Sequence, residues 1–348
     1  MNHREPHPDL YGVPYSTEAF NGMPFRPLGR SGLRVPRIGL GTWKFGLPET
    51  GDGARTGEKA AFEIMDRAVE LGVTLWDTAN RYNNASGNSE RVIGRWLRRN
   101  ADRRRDVIIA TKVRGGMDGL TPNHGGLSRG NILDSVAACL ERLETDRIDL
   151  LYFHNSDDAV PPEESLSAVE DLVRQGAVRY FGVSNFTAEG LERYQRLEAD
   201  FGVRCRIVVL QNQFDILHGE YEKHAGALAV AVRTGVSYVA WAPLAGGLLS
   251  DRYLDPAKAG PGDRLFDEGV LAKATGEKVL ARLRRLAEIA RASGLELSQL
   301  ALAYMLTLPG MGPAIPAASS VKQLESNAAA GKVQLSEDQR AAVAGALA

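Results

Sequence analysis

Ile148-Asp149-Leu150-Leu151-Tyr152-Phe153-His154, then Pro162 to Gln175, then Val178-Arg179-Tyr180-Phe181-Gly182-Val183-Ser184 is the stretch that decides the fold. The outer runs are short, apolar and rich in β-formers; the segment between them opens on proline and acidic residues and ends against Gly176. A strand, a helix closed by a left-handed glycine and a second strand form one unit, whose strands lie parallel through a right-handed crossover.

Outward from that unit, the same alternation predicts strands at Arg37 to Gly41, Thr74 to Ala79, Val107 to Val113, Ile207 to Gln211, Tyr238 to Pro243 and Gly312 to Pro316. Helices are predicted at Glu58 to Leu71, Ser89 to Arg99, Arg129 to Glu144, Ala188 to Glu198, Tyr221 to Thr234, Glu277 to Ala292 and Val321 to Ala330, with Gly72, Gly235 and Gly294 as further caps. Eight strand-helix units close a parallel sheet on itself, so the fold class is α/β, a (β/α)8 TIM barrel. Phe25 to Val35 reads as a hairpin that plugs the barrel bottom, and Ser298 to Leu308 and Ser336 to Leu347 as extra helices. Asp251 to Thr275 is too long for an ordinary connection and is a candidate functional loop. No linker divides the chain, which reads as a flexible tail, 1–24, followed by a single domain, 25–348.

The 348 residues are 44% hydrophobic and 24% charged, enough apolar material for a sizeable core. Lysine and arginine number 42 against 43 acidic residues, so no overall field draws nucleic acid or an acidic membrane, and Arg103-Arg104-Arg105 reads as a solvated cluster. Two cysteines, Cys139 and Cys205, exclude a disulfide framework and fit a reducing compartment. The N-terminal residues lack a signal-peptide core and no apolar stretch spans a bilayer, which makes the cytoplasm the expectation. His3 and His7 lie in the tail, and His124, His218 and His224 show no metal-ligand spacing, so no metal is expected. The sequence fixes no oligomeric state.

Barrel enzymes carry their chemistry at the C-terminal ends of the strands. There stand Asp77, followed by Tyr82, then Lys112 and then His154. Singly, an Asp at a strand end is commonly a cap, a loop Tyr a packing residue, a Lys a snorkelling charge and a His a core residue. At one rim they make an acid-base set: a free phenol titrates near ~10, and shifting it by two to three units takes roughly 3 to 4 kcal/mol of selective stabilisation of tyrosinate. Lys112, kept charged by Asp77, is suited to supply that field, and a neutral His154 to hold a carbonyl oxygen.

The set and its context resemble the aldo-keto reductases, in the branch containing bacterial reductases and the potassium-channel β subunits. Gly39-Leu40-Gly41-Thr42-Trp43 is similar to that family's first-strand motif, Trp76-Asp77-Thr78-Ala79 with Tyr82 to its catalytic site, and Gly182-Val183-Ser184-Asn185-Phe186 to a further signature; Thr111-Lys112 and His154 fall where its Lys and His fall. The resemblance implies catalytic roles for Asp77, Tyr82, Lys112 and His154, with Trp43, Tyr82 and His154 lining the substrate pocket. It also implies a nicotinamide dinucleotide, although the chain has no G-x-G-x-x-G turn. Thr42, Trp43, Asp77, Ser184, Asn185, Gln211, Trp241, Ala242, Leu244 and Gly246 would hold its nicotinamide and pyrophosphate, and Ser319, Gln323 and Asn327 its adenosine. The basic residues that many members place near Ala317 and Ser319 are missing, so Arg252 and Arg264 are the expected partners of the 2′-phosphate of NADPH (NADP+), with NADH the second choice. Plain core packing is the other reading of Trp241.

The function expected is NAD(P)H-dependent reduction of a small-molecule aldehyde or ketone, a sugar or other polar carbonyl being hinted at by Asn80-Arg81 and Asn83-Asn84 around Tyr82. Two other readings stand beside it: a cofactor-binding regulatory subunit or redox sensor of the channel-β type, and a barrel lyase that forms a Schiff base on Lys112.

Overall fold

The computed structural model describes residues 11–12, 16–117, 119–200 and 205–348. Three short antiparallel strands come first: β1 (Ala19–Phe20), β2 (Met23–Pro27) and β3 (Arg34–Pro36). The parallel strands β4 (Leu40–Gly41), β5 (Leu75–Asp77), β6 (Ile108–Val113), β7 (Ile148–Phe153), β8 (Val178–Ser184) and β9 (Ile207–Asp215) follow. After β10 (Gly219–Glu220), which turns back antiparallel on β9, come β11 (Ser237–Trp241) and β12 (Met311–Ile315). Neighbours run β4 to β9, then β11 and β12, and parallel bridges from Ile38 to Ala314 and Gly41 to Ala317 join the two ends into a barrel.

Helices Glu58–Glu70, Asn88–Arg99, Arg129–Arg142, Pro162–Arg174, Ala188–Asp200, Ala227–Thr234, Glu277–Ala292 and Val321–Lys332 alternate with these strands, and Leu297–Met305 and Glu337–Leu347 are the extra ones. The capping glycines Gly72, Gly176, Gly235 and Gly294 lie at φ between 68° and 80°, the left-handed region the helix ends need. The helix predicted over Tyr221 to Thr234 is broken by Gly226, at φ 84°, into a turn of 3-10 helix, Glu222–His224, and the helix proper.

Two apolar clusters follow from strand alternation. Trp76, Ile109, Phe153 and Phe181 face the helices, while Leu75, Ala110, Leu150, Tyr152, Val209, Val239 and Ile315 fill the barrel. Leu28 and Val35 of the hairpin join the second cluster and close the barrel bottom. Gly29, at φ 55°, lies against the Val208 carbonyl, where a Cβ would collide with backbone. Ordered pairing begins at Ala19 rather than Phe25, because Met23 buries its side chain beneath Gly331. The tail expected over 1–24 therefore ends earlier, and residues 1–10 and 13–15 of it lie outside the described residues. Arg104 is likewise no solvated charge: it turns inward to Asp149 at 2.8 Å and donates to the Val107 and Arg147 carbonyls. Among the described residues no helix is long and apolar enough to cross a membrane.

Candidate active site

The strand ends above the inner cluster carry the polar set. Asp77 follows Leu75 by two residues, Lys112 follows Ala110, and Gln211 follows Val209, so the pleat turns all three toward the barrel axis. Asp77 is 3% exposed and Lys112 1% exposed. The Lys112 ammonium donates to Asp77 Oδ1, to the Thr78 carbonyl at 2.9 Å and to Tyr82 Oη at 2.8 Å. Tyr82 Oη donates in turn toward Asp77 Oδ1 at 3.4 Å, and Gln211 Nε2 to Asp77 Oδ2 at 2.7 Å. The segment that presents Tyr82 is strained: Asn83, Asn84 and Ala85 lie at φ 55°, 56° and 61°. Asn83 Nδ2 donates to the Phe45 carbonyl at 2.6 Å and holds the turn.

Burial and the Asp77 carboxylate push the Tyr82 phenol well above its usual value, and burial pulls the Lys112 ammonium down. The expectation that Lys112 lowers the phenol does not hold in this site. Burial is the larger cause, and the Asp77 carboxylate, 3.4 Å from the hydroxyl, adds to it although the ammonium is nearer at 2.8 Å. Tyr82 is thus a neutral phenol throughout the physiological range, in the protonation state of an acid.

His154 stands across from Tyr82, the ring centroids 6.0 Å apart. Burial, Lys112 and Arg114 pull its imidazole down to about 3, so it is neutral. The sign of the linkage follows. Folding depresses this pKa below the ordinary 6.5, so the stability it contributes is complete above pH 6.5 and is lost as pH falls toward 3. A slope of about 1.4 kcal/mol per pH unit is expected across that window, checked by urea unfolding of wild type and His154→Gln, with the variant showing the shallower slope. Parallel slopes would mean that His154 titrates normally.

Ser184, Asn185 and Trp241 are brought together as expected. Asn185, at φ 57°, donates from Nδ2 to the His154 carbonyl at 2.9 Å and to Ser184 Oγ at 3.0 Å, and its Oδ1 accepts the Trp241 indole N–H at 3.2 Å. Trp241 is therefore placed by a polar contact at the rim and is not simple core packing. Beyond it Ala242, Ala245, Gly246 and Gly247 all have positive φ, a strained turn that includes Leu244. Ser319 donates from backbone and hydroxyl to Gln323 Oε1 at 2.8 and 2.9 Å, and Asn327 donates to the Ala317 carbonyl at 3.3 Å, which shapes the turn before helix Val321–Lys332.

Three expected contacts come out differently. Thr42 is fully buried and spends its hydroxyl on the Asp77 carbonyl at 2.9 Å and on Ser89 at 3.0 Å, so it positions Asp77 and offers nothing to a ligand. The Gln211 amide N–H is likewise taken up by Asp77. Asn80 and Asn83 are buried, so of the polar residues around Tyr82 that hinted at a sugar only Arg81 and Asn84 are exposed.

Arg252 is paired with Asp263 at 2.7 Å and Arg264 with Glu268 at 3.0 Å. The Arg264 guanidinium lies 5.0 Å from the ring centroid of Trp43, which is 39% exposed and has the Lys44 ammonium at 4.0 Å. Asp267 pairs with Arg55 at 3.2 Å, so the long loop folds back over the end of β4.

The sequence reading missed three features. Tyr152 projects into the barrel beneath His154, where a Cβ on Gly182 would sit 2.9 Å from its ring. Two positions of separation from His154 on one strand was the signal. Glu90 is buried under Lys112, accepting from Thr111 Oγ1 at 2.6 Å and Arg142 Nε at 2.7 Å, an ion pair between helices that no local motif announces. Arg114, two residues after Lys112, stands beside His154.

Residues 37–348 match the model of the aldo/keto reductase family. The chain is 34% identical over 323 residues to the uncharacterized oxidoreductase YrpG of Bacillus subtilis, covering 91% of this chain and 93% of that protein. It is 32% identical to protein tas of Escherichia coli, covering 91% of this chain and 95% of the relative. With the L-glyceraldehyde 3-phosphate reductase of Escherichia coli it shares 32% identity over 89% of this chain and 88% of the relative. By its barrel, by the family match across nearly its whole length and by these relatives, the chain belongs to the aldo/keto reductase family, oxidoreductases of carbonyl compounds.

Proposed function

We propose that the protein reduces an aldehyde or ketone to the alcohol with NADPH, Tyr82 being the proton donor. The observation that carries this is the Lys112 ammonium 2.8 Å from the Tyr82 hydroxyl, with Asp77 holding the ammonium from below. When bound, the dinucleotide supplies a hydride to the carbonyl carbon. The chain's own part is acid catalysis: Tyr82 gives its proton to the carbonyl oxygen, Lys112 hydrogen-bonds the phenol oxygen as charge develops on it, and neutral His154 offers the same carbonyl oxygen a hydrogen bond.

The residues present fit a dinucleotide laid across the rim. Ser184, Asn185 and Trp241 form a connected polar edge beside His154, and the strained turn from Ala242 to Gly247 brings bare backbone to the same rim, an arrangement suited to pyrophosphate. The turn from Ala317 to Ser320, with Gln323 and Asn327, opens the last barrel helix, whose amino end favours phosphate. Fast oxidation of bound NADPH by a reactive aldehyde is the expected result of a stopped-flow mixing experiment, and retention of the reduced cofactor would favour a regulatory subunit. The Schiff-base reading has less support, because all three ammonium protons of Lys112 already have acceptors.

Preference for the 2′-phosphate rests on Arg252 and Arg264, both freed for it only by leaving Asp263 and Glu268. Changing both to Ala is expected to weaken NADPH more than NADH, by roughly ten- to a hundredfold, in fluorescence titrations at one salt concentration. Equal weakening would put them on the pyrophosphate. Lys322, exposed in the first turn of the last barrel helix and without an ion-pair partner among the described residues, would then be the next cation to test.

A further inference from the structure

Two arginines stand at the barrel mouth beside the candidate acid, and neither has a carboxylate partner among the described residues. Arg114 comes two residues after Lys112, just past the end of β6, close enough for its charge to act on His154, whose backbone N–H donates to the Val113 carbonyl at 3.0 Å. Its Nε donates to the Ser156 carbonyl at 3.1 Å, which ties the guanidinium across the strand end that carries His154. Arg81, immediately before Tyr82, donates to the Gly116 carbonyl and lays its stem along Gly115, where only a residue without Cβ leaves room.

The nearby carboxylates are already engaged. Asp77 is bound by Lys112 and Gln211, and Asp157 by the backbone amides of Leu127 at 2.7 Å and Ala159 at 3.2 Å. The two charges that act on His154, Lys112 and Arg114, are both positive. Asp77 balances the first, which leaves Arg114 as the charge beside His154 without an ion-pair partner among the described residues.

We propose that the substrate carries an anionic group, a carboxylate or a phosphate, a few bonds from its carbonyl, and that Arg114 receives it, with Arg81 at the outer rim. This rests on the reductase reading above and deepens it. A planar guanidinium held by one backbone contact keeps the rest of its donors for a two-point grip on such an anion.

The test compares three aldehydes of similar size with NADPH: 4-carboxybenzaldehyde, 4-formylphenyl phosphate and neutral methyl 4-formylbenzoate. Wild type is expected to favour one of the anions by tenfold or more in kcat/KM, mainly through KM, and the better of the two identifies the group. Arg114→Gln should shrink that preference by roughly ten- to a hundredfold, Arg114→Lys should keep part of it, and Arg81→Gln should reduce it less. Arg179→Gln, at an exposed position near the start of β8, should leave the ratio unchanged. Raising ionic strength should erode the wild-type preference even if an arginine variant fails to fold. If the ester is used as well as the anions, or if neither Arg114→Gln nor Arg81→Gln alters the ratio, the proposal is overturned and the reductase reading stands. If none of the three aldehydes is reduced with either nicotinamide, both fall together.

Discussion

Tyr82→Phe is expected to lower carbonyl reduction by about a hundred- to ten-thousandfold, the span normally carried by a principal general acid, while NADPH still binds. The ring stays, so its edge contact with His154 is kept; only the hydroxyl is lost, and with it one of the three acceptors of the Lys112 ammonium. Leaving that proton without a partner costs about 1 to 3 kcal/mol, so the variant should unfold at lower urea but remain native under assay conditions. His154 cannot take over as the acid, since an imidazole that titrates at about 3 carries no spare proton near neutrality. In wild type the raised phenol pKa also has a direction: reduction should not fade on the alkaline side until well past the usual phenol range. Assays of NADPH consumption against pH, paired with cofactor fluorescence titrations, decide the matter. More than about a tenth of the wild-type rate remaining in Tyr82→Phe would assign the proton to another donor.

Elements whose signal is local were legible in the sequence. The capping glycines, the apolar runs and the polar residues that end them lie within a few positions of one another, and parallel strands tolerate only one handedness of connection, so eight such units leave little choice of fold. Asp77, Tyr82, Lys112 and His154 were found because each ends its own strand or follows one closely, and the barrel delivers those ends to one rim. What was hidden depends on contacts across the sheet. Thr42 faces the helix that carries Ser89 instead of a ligand, Gln211 reaches a carboxylate far away in sequence, and Glu90 waits for Arg142. The phenol pKa went the other way for the same reason. The sequence names a lysine and an aspartate, but not the burial of the hydroxyl, which is the larger cause of its rise.

The Lys112–Asp77 contact leads to a large expected effect on stability. Lys112→Met keeps most of the aliphatic volume but removes the one charge paired with Asp77 among the described residues, and the carboxylate is then left buried with Gln211 Nε2 and the Tyr82 hydroxyl as its donors. Breaking a buried pair by removing one partner costs about 3 to 5 kcal/mol. Turnover should disappear as well, because the phenol would face the negative carboxylate alone. In the alcohol-oxidising direction, where the phenol must lose its proton, any residual activity should have its rising pH limb moved upward, since burial and Asp77 already raise this group and nothing would then oppose them. Adding Asp77→Asn separates the two effects. The double variant has no stranded charge and should recover much of the lost stability in urea unfolding, yet it should stay inactive because no ammonium remains hydrogen-bonded to the Tyr82 hydroxyl. A Lys112→Met protein as stable as wild type would mean that Asp77 finds its compensation elsewhere. An unchanged pH profile would mean that the ammonium holds the aspartate in place without tuning the tyrosine.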